Sequence, residues 1–153
     1  MPMIRLAAPA DQEVVEALVR SAYSVYIDRI GKKPGPMLDD YNALIQQGRV
    51  YVLDENDSIN GLVVLIPEAR TMLLDNVAVS PEAQGKGYGR WLIAFAEEEA
   101  RRQGFETIRL YTNTAMTENI PLYEQLGYIE TRRGEEDGFS RIYMEKLLGD
   151  DAH

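Results

Sequence analysis

Leu73-Leu74-Asp75-Asn76-Val77-Ala78-Val79-Ser80-Pro81-Glu82-Ala83-Gln84-Gly85-Lys86-Gly87-Tyr88-Gly89-Arg90 is the stretch from which the rest of the chain can be read. Its first part, over 73–79, is mostly apolar and reads as a buried central strand. Ser80-Pro81 turns the chain, and Gly85, Gly87 and Gly89 alternate through a loop that opens an amphipathic helix over about 88–103. Glycines permit positive φ and let a ligand approach the backbone. The N–H groups freed in such a loop, with a helix dipole behind them, face an anion. Lys86 and Arg90 add positive charge at a helix end where acids are normally favoured. A phosphate-bearing ligand is expected there.

Elimination narrows the ligand. No Gly-x-x-x-x-Gly-Lys-Ser/Thr spacing occurs, so a nucleotide P-loop is excluded. A dinucleotide fingerprint needs Gly-x-Gly-x-x-Gly and an acid about 20 residues on, whereas this loop is Gly-x-Gly-x-Gly and is followed at that distance by Arg109-Leu110-Tyr111-Thr112. Gln84-x-x-Gly87-x-Gly89, preceded by Val77-Ala78-Val79-Ser80-Pro81, resembles the pyrophosphate loop of the GNAT superfamily of N-acetyltransferases. Asn119-Ile120-Pro121-Leu122-Tyr123-Glu124-Gln125-Leu126-Gly127-Tyr128 resembles that family's second signature, a helix that carries a Tyr and closes at Gly-Tyr.

Composition sets further bounds. With 153 residues the chain is expected to be one domain over 1–153, its acidic end over 149–153 fraying. The absence of cysteine excludes an acyl-cysteine relay and a thiolate zinc site, and the single histidine, His153, argues against a Ser-His-Asp triad and a histidine metal centre. No metal is expected. A net charge of -9 speaks against nucleic acid and favours a cationic partner such as an amine, although it also serves solubility. No apolar run approaches the ~20 residues of a membrane span and no signal pattern opens the chain, so a cytoplasmic protein without a membrane partner is expected.

Periodicity lays out the elements. A strand is expected over 3–7, then a helix over about 12–29 capped by Asp11, with Val14, Val15, Leu18, Ala22, Val25 and Tyr26 at helical spacing. A second helix is expected over about 38–47, and strands over 50–54 and 59–66 form a hairpin around 55–58. After the strand over 72–79, the 88–103 helix turns Leu92, Phe95, Ala96 and Ala100 inward, with Glu97/Arg101 and Glu98/Arg102 as outer i,i+4 pairs. A strand over 107–112, a helix over about 119–126, and strands over 128–132 and 139–146 around a turn at 134–138 complete a mixed α/β layer.

The resemblance implies a GNAT-type acyl-CoA N-acyltransferase fold of the α/β (α+β) class. Its mostly antiparallel sheet of six to seven strands is flanked by about four helices and splays at the central strands to hold the pantetheine arm. The implied cosubstrate is acetyl-CoA. Its site is expected to comprise Gln84, Gly85, Lys86, Gly87, Tyr88, Gly89 and Arg90, the backbone of Val77, Ala78 and Val79, and Asn119 and Tyr123. Members of the family often dimerise through C-terminal strands, and Ile142, Tyr143, Met144 and Leu147 could serve a homodimer or equally the sheet of a monomer.

Acetyl transfer from a thioester to an amine needs a proton donor for the leaving thiolate, and Tyr123 stands at the family's tyrosine position. An Asn often stands seven residues before that tyrosine; here Met116 does, while Asn119 could contact the cofactor or cap its helix. For the base, or an anchor for the amine, Asp75 is the candidate, being the one carboxylate of the central strand, on the face expected to carry Leu73, Val77 and Val79. A structural pairing of Asp75 with Arg70 or Arg109 is the alternative, Tyr111, Glu118 and Asp28 are lesser candidates for the base, and solvent could also take the proton. Tyr23, Tyr26, Arg29 and Tyr111 are candidate substrate residues, with Asp39 and Tyr41 in the same region. The expected activity is transfer to a primary amine of a small molecule by direct attack in a ternary complex. A protein or peptide acceptor, or a non-catalytic acyl-CoA-binding regulatory module, is the alternative.

Overall fold

Residues 2–136 and 138–149 are described by a computed structural model of the chain. The expectations for the acidic tail beyond Gly149 and for His153 lie outside these residues. The elements are β1 (Met3–Leu6), α1 (Gln12–Tyr23), α2 (Tyr26–Ile30), α3 (Tyr41–Gln46), β2 (Val50–Glu55), β3 (Ser58–Pro67), β4 (Met72–Val79), α4 (Tyr88–Arg102), β5 (Thr107–Asn113), α5 (Asn119–Gln125), β6 (Ile129–Glu136) and β7 (Phe139–Leu147). They form one seven-stranded sheet in the order β1-β2-β3-β4-β5-β7-β6. Every pairing is antiparallel except β4 with β5, which are joined by α4. Among the described residues no helix is long and apolar enough to cross a membrane.

The sheet is buried on both faces because its central strands alternate two sets of apolar side chains. On one face α4 lays Leu92, Ile93, Ala96 and Ala100 against Leu53, Val63, Leu65, Met72, Leu74, Ile108, Leu110 and Ile142. On the other, Val15, Leu18 and Val19 of α1 and Tyr41 and Ile45 of α3 cover Val52, Leu62, Val64 and Ala78. Leu92 is fully buried, so Leu92→Ala would cost about 2–5 kcal/mol.

Several expectations are corrected by local chemistry. The first helix breaks after Tyr23, where the Ser24 hydroxyl bonds back to the Ser21 carbonyl and competes with the helical ladder. Asp11 precedes α1 but makes no cap bond; its carboxylate takes the Ala8 N–H and Arg5. The second helix begins only at Tyr41, because Asp40 caps it through the Ala43 N–H, and the residues before it form a 3₁₀ turn, Gly35–Leu38. The β2–β3 turn shortens to Asn56-Asp57, both at positive φ, the geometry that suits hairpin twist. On α4 the pairs are at i,i+3, Glu98–Arg101 and Glu99–Arg102, with Glu99 itself buried. Glu97 is instead buried beneath the Tyr128 hydroxyl and Lys146. Gly134 lies inside β6 rather than in a turn, and β7 is an interior strand. Ile142, Tyr143 and Met144 are therefore spent within the chain, while Leu147 is exposed.

Candidate active site

The site originates where β4 leaves β5. Their parallel pairing runs only through Met72–Ile108, Leu73–Arg109 and Leu74–Leu110. From residue 75 onward the two strands diverge, so the sheet splays at its centre. A bulge opposite Val64/Leu65 begins at the same point. That extra residue switches the faces of β4. Leu74, Val77 and Val79 thus pack toward α4, while Asn76 and Ala78 face α1 and α3. The expected common face of Leu73, Asp75, Val77 and Val79 is therefore corrected: the strand carries Val77 and Val79 on the side of Leu74.

The direction of the free backbone follows from the ladder. Ser80 N–H donates to the Asn60 carbonyl, so by alternation Ala78 and Asn76 bond to β3, while Val77 and Val79 turn their N–H and C=O groups away from it. Those groups face the gap left by β5. The Tyr23 hydroxyl confirms the direction, since it reaches the Val77 carbonyl at 3.0 Å as well as Asn76 Oδ1. The Val77 N–H and both main-chain groups of Val79 remain toward the cleft. Ala78, paired with Leu62 and buried in the second core, is not brought to the cavity.

Above this edge lies the glycine loop. After a 3₁₀ turn over Pro81–Ala83, Gly85 and Gly87 take φ of +89° and +81°, a region that penalises every side chain. Gly87 caps α4 without any side-chain bond. Among the described residues none of the N–H groups from Gly85 to Arg90 finds an acceptor. A Cβ at Gly85 or Gly87 would meet nothing within 4 Å, so a ligand can lie directly on this backbone. Gln84 and Lys86 are exposed, and Arg90 is tied across the cleft to Gln125 Oε1 at 2.9 Å. The Tyr88 ring is buried and its hydroxyl donates to Glu55, so Tyr88 serves the fold by its side chain.

The loop, the β4 edge, β5 and α5 enclose one continuous cavity of about 390 Å³. From α5 and the segment before it come Met116, Asn119, Leu122 and Tyr123. Asn119 does not cap its helix; its amide donates toward Thr112 Oγ1 (3.5 Å) and Met116 Sδ (3.7 Å). Tyr123 packs edge-on against Tyr128, with ring centroids 5.8 Å apart. It is partly exposed because it borders the cavity, and among the described residues its hydroxyl has no hydrogen-bond partner. Desolvation pushes its pKa up to about 12, so the phenol is protonated at neutral pH.

At the far end, side chains replace backbone. Asp75 Oδ1 accepts from the Tyr111 hydroxyl at 2.9 Å, and the Asp39 carboxyl bonds to Asp75 from the turn after Gly35–Leu38. Burial and the adjacent Asp75 charge push Asp39 up to about 7, even though its residue is exposed at the surface. Burial likewise raises Asp75, against the hydrogen bonds from Tyr111 and Asp39. Two carboxyl groups in such contact titrate as a pair and share a proton below about pH 7. Arg141 lies over the Tyr111 ring at 4.2 Å and, with Phe139 and Gly35, also lines the cavity. Asp75 pairs with neither Arg70 nor Arg109; Arg109 grips Glu68.

Of the sequence-derived candidates, Tyr23, Asp75, Val77, Val79, the loop from Gln84 to Arg90 apart from Lys86, Tyr111, Asn119 and Tyr123 line this one cavity. Tyr26 and Arg29 do not: both grip Glu118, joining α2 to the start of α5 at the surface. Asp28 is exposed and away from the lining. Sequence reasoning missed Arg141, Phe139 and Gly35, and did not link Asp39 to Asp75. Only the pairing of β5 with β7, which sets Tyr111 beside Tyr143, puts Arg141 at this end.

Comparison with known proteins agrees with this geometry. A family model described as an acetyltransferase (GNAT) domain matches residues 46–130. The chain is 28% identical over 114 residues to the uncharacterised N-acetyltransferase YvbK of Bacillus subtilis, covering 74% of this chain and 73% of that protein. It is 28% identical over 136 residues to the uncharacterised N-acetyltransferase YjgM of Escherichia coli, covering 83% and 81%. In fold it is similar to the PaiA N-acetyltransferase of Thermoplasma acidophilum, solved in complex with coenzyme A, with TM-score 0.79, 18% identity and coverage of 96% and 99%. It is also similar to the ribosomal-protein-S18-alanine N-acetyltransferase of Escherichia coli, with TM-score 0.77, 21% identity and coverage of 100% and 99%. The chain belongs to the GNAT acetyltransferases and is an acetyl-CoA-dependent acyltransferase.

Proposed function

We propose that this GNAT acetyltransferase transfers an acetyl group from acetyl-CoA to the primary amine of a small molecule by direct attack, with both partners in the cleft at once. The observation that carries this reading is the unpaired edge of β4, which runs from the glycine loop to the Asp39–Asp75 pair within a single cavity. Acetyl-CoA supplies the activated thioester. The six N–H groups from Gly85 to Arg90 suit its diphosphate, and their number makes backbone, rather than Lys86, the main source of grip. The Val77 N–H and the Val79 main chain suit the amide groups of the pantetheine arm. A Val79 N–H aimed at the thioester oxygen would contribute on the order of 3 kcal/mol where charge develops.

Proton traffic is divided between the two walls. On the α5 side, Tyr123 is held protonated and unpartnered, ready to give its proton to the departing sulfur as the C–S bond breaks. On the β4 side, Asp75 with Asp39 receives the incoming ammonium and takes a proton from it, which frees the nitrogen lone pair to attack the thioester carbonyl; the second proton leaves to solvent once the N–C bond has formed. The absence of cysteine fits direct transfer rather than an acyl-enzyme. Steady-state release of free CoA across a panel of small amines and peptide N-termini tests the reading. Turnover of a small amine with sequential kinetics supports it. Turnover confined to peptides, or acetyl-CoA binding without turnover of any amine, overturns it in favour of a protein acetyltransferase or a binding module.

A further inference from the structure

Arg141 differs from the other shielded arginines. Arg5, Arg101 and Arg109 each hold a carboxylate at 3.0 Å or closer. The Arg141 side chain is only 12% exposed, yet its nearest carboxylate oxygen, on Glu136, lies 3.7 Å away. Glu136 itself accepts from Tyr143. Among the described residues Arg141 donates no side-chain hydrogen bond. Its flat face is covered by the Tyr111 ring at 4.2 Å and approached by Phe139 at 5.8 Å. The rim of the guanidinium, with five N–H donors, is left toward the cavity that Arg141 lines. Burying such donors unmet is costly, whereas a ligand carboxylate would satisfy two of them in parallel.

A charge of opposite sign stands at the other end of the same ring. Tyr111 offers its hydroxyl to Asp75 while Arg141 covers its face. The two charges feel one another, but no ion pair joins them; the tyrosine holds them apart in one cavity. A simple amine would engage Asp75 and leave Arg141 with only the long contact to Glu136. A molecule that carries an ammonium and a carboxylate on one carbon presents a partner to each of the two charges. On the N-acetyltransferase reading above, we infer that the acceptor is an α-amino acid or a close relative bearing a carboxylate beside its amine, with Arg141 taking the carboxylate and Asp75 the ammonium.

The test is a matched panel with the full chain: the common amino acids, their carboxamides and the corresponding decarboxylated amines, each assayed for acetyl-CoA-dependent release of free CoA. At least one amino acid is expected to exceed its own amide and amine in kcat/KM by about 10- to 100-fold, the scale of a charge-assisted contact. Arg141→Gln should erase that preference by raising KM for the acid, and Arg141→Lys should restore part of it. The KM for acetyl-CoA, bound at the other end of the cleft, reports that each variant is folded. Equal or better turnover of amides and amines, or no turnover of any amino acid, overturns the inference whether or not the variants fold. Calorimetric binding of acetyl-CoA separates that outcome from failure of the acetyltransferase reading itself, in which no acetyl-CoA binds.

Discussion

At one end of the cleft the chain presents its main chain, through Val77, Val79 and the N–H groups of Gly85 to Arg90; at the other it presents side chains, through Asp39, Asp75, Tyr111 and Arg141. The first end is assembled from one continuous stretch, the second from four separate segments. A backbone site tolerates changes of side chain so long as φ is kept, so it can be common to many enzymes. A side-chain site changes with single substitutions, so it can differ between relatives with the same sheet. On the function proposed above, cofactor binding rests on backbone geometry and acceptor choice on side-chain chemistry.

The sharpest way to break this division is at Tyr123, which lines the same cavity as both ends. Tyr123→Phe should lower kcat by about 10²- to 10⁴-fold while acetyl-CoA affinity, measured by calorimetry, is unchanged. Unchanged turnover would remove Tyr123 from the proton transfer. Next in size is Gly87→Val. The φ of +81° at this position forces a branched residue into strain, and its side chain would fill the space above the loop, so acetyl-CoA affinity should fall on the order of 100-fold. Lys86→Ala, one residue away, should change affinity less than about fivefold, because an exposed charge contributes little. If the lysine matters more than the glycine, the loop does not bind through its backbone.

At the side-chain end the pH dependence is the discriminating quantity. Asp39 is raised from 3.8 to about 7, so below that range the carboxyl pair holds a proton and above it captures an ammonium better. The kcat/KM for the amine should therefore rise with pH through about 7, and Asp39→Asn should move or flatten that limb. Tyr41, Tyr111, Arg141 and Glu68 also face the pair; burial holds the Tyr41 and Tyr111 hydroxyls protonated well above that range. Stability has the opposite sign. A carboxyl whose folded pKa is raised costs progressively more as pH climbs from 3.8 to about 7, so thermal stability should decline over that interval and Asp39→Asn should lessen the decline. The same pH dependence of Tm in the wild type and in Asp39→Asn would contradict the proximity of the two carboxyls.

The two ends also differ in how far the sequence alone discloses them. The strand at 72–79, the loop at 84–90 and the helix after it were legible because glycine spacing and apolar runs report backbone requirements directly. The switch of faces at Asp75 was not, since a bulge arises from pairing with Val64 and Leu65 and leaves no mark in the periodicity of β4. Nor was the role of Glu97, which looks like half of a surface pair until Tyr128 and Lys146 close over it. Arg141 reads as an ordinary strand charge, and only the β5–β7 register sets it by Tyr111. Tyr26 and Arg29 are candidates because they fall in the region of the first helices; after the break that follows Tyr23 both side chains instead grip Glu118.

The most direct single measurement is calorimetric titration of acetyl-CoA into the wild-type protein and the Gly87→Val variant side by side. One-to-one binding at about micromolar affinity in the wild type, lost or greatly weakened in the variant, is the expected result. Absence of binding up to about millimolar in the wild type, or equal affinity in both, would contradict a cofactor site made of main chain.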